Sequence, residues 1–273
     1  VSSFVSEVRS LILEGRPCDI VGSGTKGGLR NSGATEIPMT EYAGILNFSP
    51  ADQLLTVRAG TRLADLLPEI EAHGQTLPLA RFGEGFEYLG GIPGTVGGTI
   101  ATGLPHFLEA RFGHWTDWLL GARILTGDGL DAKSGSQAVK SVAGFDIYKM
   151  LVGSRGTLGL ILEVHLRTYP LEAFRSPTPN AVPYSGPFGV QRVAAEDFSR
   201  QFAAYGDRLL AAEEESKTVW FKGEPLPAPS GWVHHSGVRQ GGSSPLVEKY
   251  LARARETFNP GALLNRAECE GIR

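Results

Sequence analysis

Cysteine is nearly absent from this chain: Cys18 and Cys269 are the only two in 273 residues. They lie at opposite ends with no metal-ligand spacing, too few for a disulfide framework or for the four thiolates of an iron–sulfur cluster. A reduced, cytoplasmic protein without a metal site is the expectation. Basic runs are lacking too. The 26 Lys and Arg against 29 Asp and Glu give a net charge of −3, with pI about 6.1, which leaves no electrostatic footprint for nucleic acid and no polybasic patch for a membrane. Residues 1–14 contain no long apolar run, because Glu7, Arg9 and Glu14 interrupt them. Neither a signal peptide nor membrane insertion is expected there. Phe4, Val5, Val8, Leu11 and Ile12 instead recur at helical spacing and predict an amphipathic first helix. No Ser/His/Asp or Cys/His arrangement suited to nucleophilic catalysis stands out.

What the chain has in excess is glycine. Its 36 glycines are roughly double the usual share, and many fall in three turns. These read Gly22-Ser23-Gly24-Thr25-Lys26-Gly27-Gly28, Gly90-Gly91-Ile92-Pro93-Gly94-Thr95-Val96-Gly97-Gly98-Thr99, and Gly153-Ser154-Arg155-Gly156-Thr157-Leu158-Gly159. Glycine lets main-chain N–H groups approach a ligand closely, and successive exposed N–H groups make an anion-binding concavity. The first turn has the GxGxxG letters, yet no helix pattern follows it, and the Gly-Lys-Ser/Thr of a P-loop is missing. Alone it leaves a phosphate cradle and a plain tight turn equally open. Three such turns, each beside an apolar stretch, point to an extended dinucleotide held along its length.

The patterning around the turns predicts an α+β fold. A short strand over residues 19–21 leads into the first turn, and strands at 44–48 and 54–59 flank a turn at Ser49-Pro50-Ala51-Asp52. Thr61 is placed to cap a helix carrying Leu63, Leu66, Leu67 and Ile70, which Pro68 could kink and His73-Gly74 ends. Gly127-Asp128-Gly129 signals a hairpin after the strand at 119–126. An extended segment at 138–143 and a short helix capped by Asp146 precede the third turn. Leu162, Val164 and Leu166 then alternate with Glu163, His165 and Arg167 as a half-buried strand. The proline-rich stretch 171–189 reads as a linker between a unit at 1–170 and a small C-terminal unit or cover at 190–273. That unit ends in a helix at 246–258, halted by Asn259-Pro260-Gly261.

Residues 139–170, VKSVAGFDIYKMLVGSRGTLGLILEVHLRTYP, resemble the FAD-binding subunits of bacterial glycolate oxidases, within the vanillyl-alcohol oxidase and p-cresol methylhydroxylase (PCMH) superfamily. The likeness runs upstream through LLTVRAGTRLADLLPEIEAHGQTLPL, GGIPGTVGGTIATG and LLGARILTGDG, and resumes at ETFNPGALLNR. It implies two α+β subdomains clasping FAD, with a small, reduced C-terminal domain. The first turn (Gly22, Ser23, Gly24, Thr25, Lys26, Gly27) would cradle the diphosphate. The second (Pro93, Gly94, Thr95, Gly97, Gly98, Thr99, Ala101) would line the diphosphate and the flavin, and the third (Gly156, Gly159, Ile161) would lie near the adenine. Each of these roles is expected to rest on main-chain donors.

The first turn has no His or Cys to tether a flavin. Cys18 precedes it, and His106 and His114 follow the second turn, so a non-covalent FAD is expected. The resemblance further implies a subunit of a 2-hydroxy acid dehydrogenase complex, whose flavin accepts a hydride or relays electrons. Its partners would be a catalytic flavoprotein subunit and an iron–sulfur subunit, and any membrane attachment would be peripheral, through that complex. UDP-N-acetylmuramate dehydrogenase, whose flavin loop is similar to residues 91–98, is the runner-up. A non-catalytic subunit that binds partners, with structural or absent FAD, is the third reading. Arg81, Tyr88 and Arg111 flank the second turn and could meet a carboxylate. His234 and His235 lack a third metal ligand, and no catalytic residue can be assigned.

Overall fold

The apolar stripe at the start forms helix α1 (Ser3–Leu13), which buries Val5, Val8 and Ile12. The computed structural model describes residues 3–25, 31–78, 94–103, 109–135, 146–174, 188–214, 217–227, 232–235, 238–241 and 245–266. The extended segment expected at 138–143 and most of the linker lie outside them. Strand β1 (Cys18–Val21) pairs in parallel with β2 (Thr35–Pro38). Strands β3 (Ile45–Ser49) and β4 (Leu54–Arg58) form the expected hairpin.

Helix α2 (Leu63–Glu71) buries Leu63, Leu66, Leu67 and Ile70. It runs through Pro68, because Pro68 and Ala64 are both exposed, so the carbonyl that loses its amide partner can meet water. The residue at the N-cap is Arg62 rather than Thr61. The Thr61 hydroxyl instead accepts the Gly44 amide and donates to the Arg58 carbonyl, each at 2.8 Å. Strand β5 (Gln75–Thr76) follows, then helix α3 (Val96–Thr102) and the short helices α4 (Glu109–Phe112) and α5 (Trp115–Trp118).

The Gly127–Gly129 turn joins β6 (Leu119–Leu125) to β7 (Asp131–Gly135). Asp146 precedes a 3-10 turn at Ile147–Leu151, but its side chain makes no cap. It pairs with Lys149 Nζ at 2.7 Å instead. Strand β8 (Leu160–Arg167) then enters the middle of a five-stranded sheet of order β3-β4-β8-β6-β7, antiparallel throughout. Strand β9 (Tyr169–Pro170) pairs back to β5. The antiparallel sheet and the helices packed on it make the α+β class plain.

One face of the sheet is apolar. Leu55, Val57, Leu162, Val164 and Leu166 are fully buried in the core, with Trp115 and Trp118 stacked at 4.4 Å between ring centroids. Each such side chain contributes about 1.5–3 kcal/mol by leaving water. The other face is polar. Arg123 donates to both Asp131 and Glu163, the Tyr42 hydroxyl donates to Glu163 Oε1 at 3.0 Å, and Thr56 Oγ1 lies 2.9 Å from His165 Nδ1.

A second antiparallel sheet has the order β11-β12-β10-β13-β14. It is built from β10 (Phe188–Arg192), β11 (Leu209–Glu213), β12 (Thr218–Lys222), β13 (Trp232–His235) and β14 (Val238–Gly241). Helix α6 (Phe198–Tyr205) packs Phe198 and Tyr205 against Val219 and Phe221 on it. Arg192 joins this sheet to α4 by bonding both Glu109 carboxylate oxygens, at 2.9 and 3.0 Å. This sheet begins at Phe188, just inside the stretch expected as linker, and runs to Gly241. The chain's last helix does not stay with it: α7 (Pro245–Phe258) and the segment beyond place Ala254 and Leu264 in the first core.

Burial lowers the pKa of His165, against the attraction of Glu163, with Lys133 adding to the drop. The unfolded chain therefore takes up this proton more readily, and stability should fall as pH drops through about 6.5 toward the lowered folded value. His165→Gln should flatten that part of the profile. Urea midpoints measured between pH 5 and 8 check this, and an unchanged slope would contradict it.

Candidate functional site

The described part of the second glycine segment is largely helical. Past Gly94 the chain enters α3, whose cap is Thr95, and the Thr95 hydroxyl accepts the Gly98 amide at 3.1 Å. Gly97 is what lets the helix sit there. A Cβ at that position would lie 2.7 Å from the Ala59 Cβ. Without one, the Gly97 amide reaches the Ala59 carbonyl at 2.8 Å, and the Val96 amide reaches Thr61 at 2.9 Å. In the helical part this departs from the expectation of free main-chain donors: the amides of Val96, Gly97, Gly98 and Thr99 are all engaged within the protein. What the segment presents is a bare, close surface.

The other turns close on α3 from either side. A Cβ at Gly22 would meet Thr95 Oγ1 at 2.6 Å, and one at Gly103 would meet the Gly153 nitrogen at 2.7 Å. Carbonyls at a helix C-terminus lack partners within the helix. Here the third turn supplies them, with Gly153 N bonding Ile100 O at 3.1 Å and Arg155 N bonding Ala101 O at 2.8 Å. Asn265, from the chain's last described segment, packs on this turn: a Cβ at Gly156, where φ is +77°, would lie 2.6 Å from its Nδ2.

The three turns thus border one cleft of about 900 Å³, its open mouth included. Gly22, Ser23, Gly24 and Thr25 line it from the first turn, Thr95, Gly97, Gly98 and Ala101 from the second, and Gly156, Gly159 and Ile161 from the third. Two predicted residues stand elsewhere. Gly94 turns its carbonyl to the Leu63 amide at 2.9 Å. Thr99 is on the buried side of α3, its hydroxyl donating to the Thr95 carbonyl at 2.8 Å. Lys26, Gly27 and Pro93 lie outside the described residues.

Several lining residues escaped the sequence reading. Ile20, Val21, Met39 and Ala59 make an apolar wall, and Thr102 extends the α3 surface one position past Ala101. Asp19 and Arg155 are the charged residues among those described. The Asp19 carboxylate is already held, accepting the Asn31 amide at 2.8 Å and Asn31 Nδ2 at 3.2 Å, and so fastens the far end of the first-turn loop. Arg155 is buried with φ +52°, a left-handed conformation that a long side chain rarely adopts. Arg155 could have been noticed as the one charged residue within its glycine turn. Nothing near Asp19 announced it.

One polar atom in the cleft is unmatched. Ser23 Oγ is buried with no hydrogen-bond partner, which costs about 1–3 kcal/mol unless something else pairs it. Narrow walls of bare main chain, an apolar side and a hydroxyl in want of a partner suit a long ligand with both apolar and polar parts. Of the candidate tethers, Cys18 and His114 stand apart from the described lining. Cys18 is buried, and desolvation raises its pKa. His114 belongs to the cap of α5, its amide donating to Asp117 Oδ2 at 2.7 Å, and burial lowers its ring pKa. His106, Arg81 and Tyr88 are outside the described residues. Arg111 is exposed over the Phe112 ring, and His234 and His235 fall on β13.

Residues 5–131 match the family described as FAD binding domain. That stretch, carrying the first two glycine segments, is a FAD-binding domain of the PCMH type, and FAD is its cofactor. Among individual proteins, the chain is similar to glycolate oxidase subunit GlcE of Escherichia coli (strain K12), at 32% identity over 62% of this chain and 47% of that protein. It is also similar to D-2-hydroxyglutarate dehydrogenase of Xanthomonas citri pv. viticola, at 31% identity over 45% of this chain and 24% of the relative. D-lactate dehydrogenase of Anaerostipes hadrus is 27% identical over 53% of this chain and 29% of its own length. The chain therefore spans about half the length of the first relative and less than a third of the other two. Among the described residues no helix is long and apolar enough to cross a membrane.

The contact between α3 and Ala59, just past β4, can be tested directly. Gly97→Ala should force the helix off Ala59 and cost about 1–3 kcal/mol, read as a lowered denaturant midpoint. An unaltered midpoint would show that the close approach is dispensable.

Proposed function

We propose that this chain is the FAD-binding subunit of a glycolate-oxidase-like complex acting on a 2-hydroxy acid. The observation that carries the reading is the meeting of three distant glycine segments at one cleft that contains the unpaired Ser23 hydroxyl. The names of its relatives, on glycolate, 2-hydroxyglutarate and lactate, supply the substrate class.

Bound FAD supplies a two-electron acceptor, and the protein's part is to place it and shape its surroundings. Residues 22–25 would hold the diphosphate, with the Ser23 hydroxyl donating to one of its oxygens, and Lys26, Gly27 and Pro93 would extend that cradle. Gly97, Gly98, Ala101 and Thr102 would flank the flavin side, where the lack of bulk on α3 allows a flat ring close approach. Gly156, Gly159 and Ile161 would border the adenine end. With main-chain walls and apolar Ile20, Val21 and Met39, the cleft would exclude water along much of the ligand.

Two further features support a subunit role. The described cleft lining contains no histidine, and its one carboxylate, Asp19, is bound to Asn31, so a proton-abstracting base is better sought on a partner. The two cysteines are too few to ligate an iron–sulfur cluster through four thiolates. A catalytic flavoprotein subunit and an iron–sulfur subunit are therefore the partners we infer, with a cytoplasmic location. A relay or purely supporting flavin is the second reading, favoured by the same missing base.

The purified chain should be yellow, and denaturation should release the flavin into the supernatant, since Cys18 and His114 stand apart from the cleft lining. Added FAD should stabilise the flavin-free protein by about 2.7 kcal/mol at a hundredfold excess over Kd. A colourless protein whose Tm ignores FAD would refute the reading. Bleaching by glycolate or D-lactate alone would mark a dehydrogenase in its own right, whereas bleaching only with partners present would mark a relay. NADPH oxidation with the UDP-sugar substrate would point to the UDP-N-acetylmuramate dehydrogenase alternative.

Ser23→Ala offers a test by opposite signs. Removing an unpaired buried hydroxyl should leave the flavin-free protein as stable or about 1 kcal/mol more so, while FAD affinity falls. Calorimetry of both forms reads the two effects, and equal affinity would exclude a contact between Ser23 and the cofactor.

A further inference from the structure

The described chain closes with a segment that carries none of the cleft's glycine turns yet holds two of their surroundings together. Asn265 spans the gap between β1 and the third turn. Its Oδ1 accepts the Ile20 amide at 2.6 Å, and its Nδ2 donates to the Arg155 carbonyl at 2.6 Å. Its own amide donates to the Cys18 carbonyl at 2.9 Å, and Cys18 N donates in turn to Leu263 O at 2.7 Å. The side chain's oxygen thus faces the strand that delivers the first turn, and its nitrogen faces the third. No other polar side chain of that size offers both groups on so short a stem.

Asn265 stands in the left-handed region at φ +45°, which asparagine tolerates better than most residues. The segment before it is fixed as firmly. Asn259, buried, donates from Nδ2 to the Thr157 and Leu264 carbonyls at 3.2 and 2.8 Å, and its Oδ1 accepts the Leu264 amide at 3.0 Å. Two asparagines of the closing segment therefore grip the third turn at Arg155 and Thr157. Between them they fix a turn in which Arg155 is held left-handed from both sides, by Ala101 at its amide and Asn265 at its carbonyl.

We propose that Asn265 is a positioning residue for the dinucleotide: by clamping Ile20 to Arg155 it sets the spacing of the first and third turns, so the cleft takes its ligand only when the closing segment is docked. This rests on the FAD reading above but concerns a residue outside the matched stretch 5–131.

The test uses the full chain and three variants. Asn265→Gly keeps the left-handed backbone accessible while deleting both side-chain bonds. Asn265→Asp keeps an acceptor for Ile20 and loses the donor to Arg155, and it serves if the glycine variant folds poorly. Val8→Ala, in the core under α1, is a control for general loss of stability. Hydrogen exchange of the flavin-free proteins should rise at residues 18–25 and 153–161 in the Asn265 variants and stay low there in Val8→Ala. FAD dissociation constants, read by flavin fluorescence, should rise at least tenfold for Asn265→Gly, rise less for Asn265→Asp, and stay within twofold for Val8→Ala.

Unchanged exchange in the two segments would overturn the clamp itself, whatever the ligand. Faster exchange with an unaltered FAD affinity would overturn the positioning role while leaving the FAD reading intact. A parent chain that binds no FAD would remove the FAD reading, and with it any dinucleotide for Asn265 to position.

Discussion

A few hydrogen bonds between stretches of chain far apart in sequence hold the cleft open. Gly97 to Ala59 seats α3 on the strand end, Arg155 to Ala101 ties the third turn to the end of that helix, and Asn265 spans from β1 to Arg155. Each satisfies a main-chain group that would otherwise be withdrawn from water unpaired. The glycine-lined parts of the cleft can do without side chains because these bonds lie just behind them. Such stretches of bare backbone need their rigidity from elsewhere, and here it comes from the residues one step removed.

The surrounding architecture serves that end. The antiparallel sheet puts its apolar face against the helices and leaves its polar face to the Arg123, Glu163 and Tyr42 network. Its central strand, β8, begins directly after the third turn, so Ile161 enters the cleft from a strand bonded on both sides. The second sheet has its own small core under α6 and meets the first unit through Arg192 and Glu109. The final helix crosses back to the first core, so the later part of the chain both builds a separate layer and completes the earlier one.

Much of this could be read from the residues, and the misses have physical causes. Alternation in β8, the stripe of α1 and the turn residues of both hairpins reflect burial, which acts locally and leaves a periodic trace. Residues 90–99 read as a glycine turn, yet the chain is helical from Val96 although Gly97-Gly98 opposes helix propensity. Packing on Ala59 overrides that cost, and no local pattern reports a contact with a residue nearly 40 positions earlier. Asp146 looked like a cap and found Lys149 instead. Asn265 sat in a quoted motif without an evident task, since its partners Ile20 and Arg155 become neighbours only in three dimensions.

The distance along the chain between those partners also sets a clock. Ile20 and Asn265 are 245 residues apart, and ribosomes add roughly 5–20 residues per second. The nascent first turn therefore waits on the order of ten to fifty seconds for the residue that secures it. Through that interval Ile20 and Val21 lack part of their covering, and closing so wide a loop is itself a slow, entropically opposed step. Closure of this cleft is thus among the last steps in the folding of the chain, complete only once residues 263–265 can dock on Cys18 and Ile20.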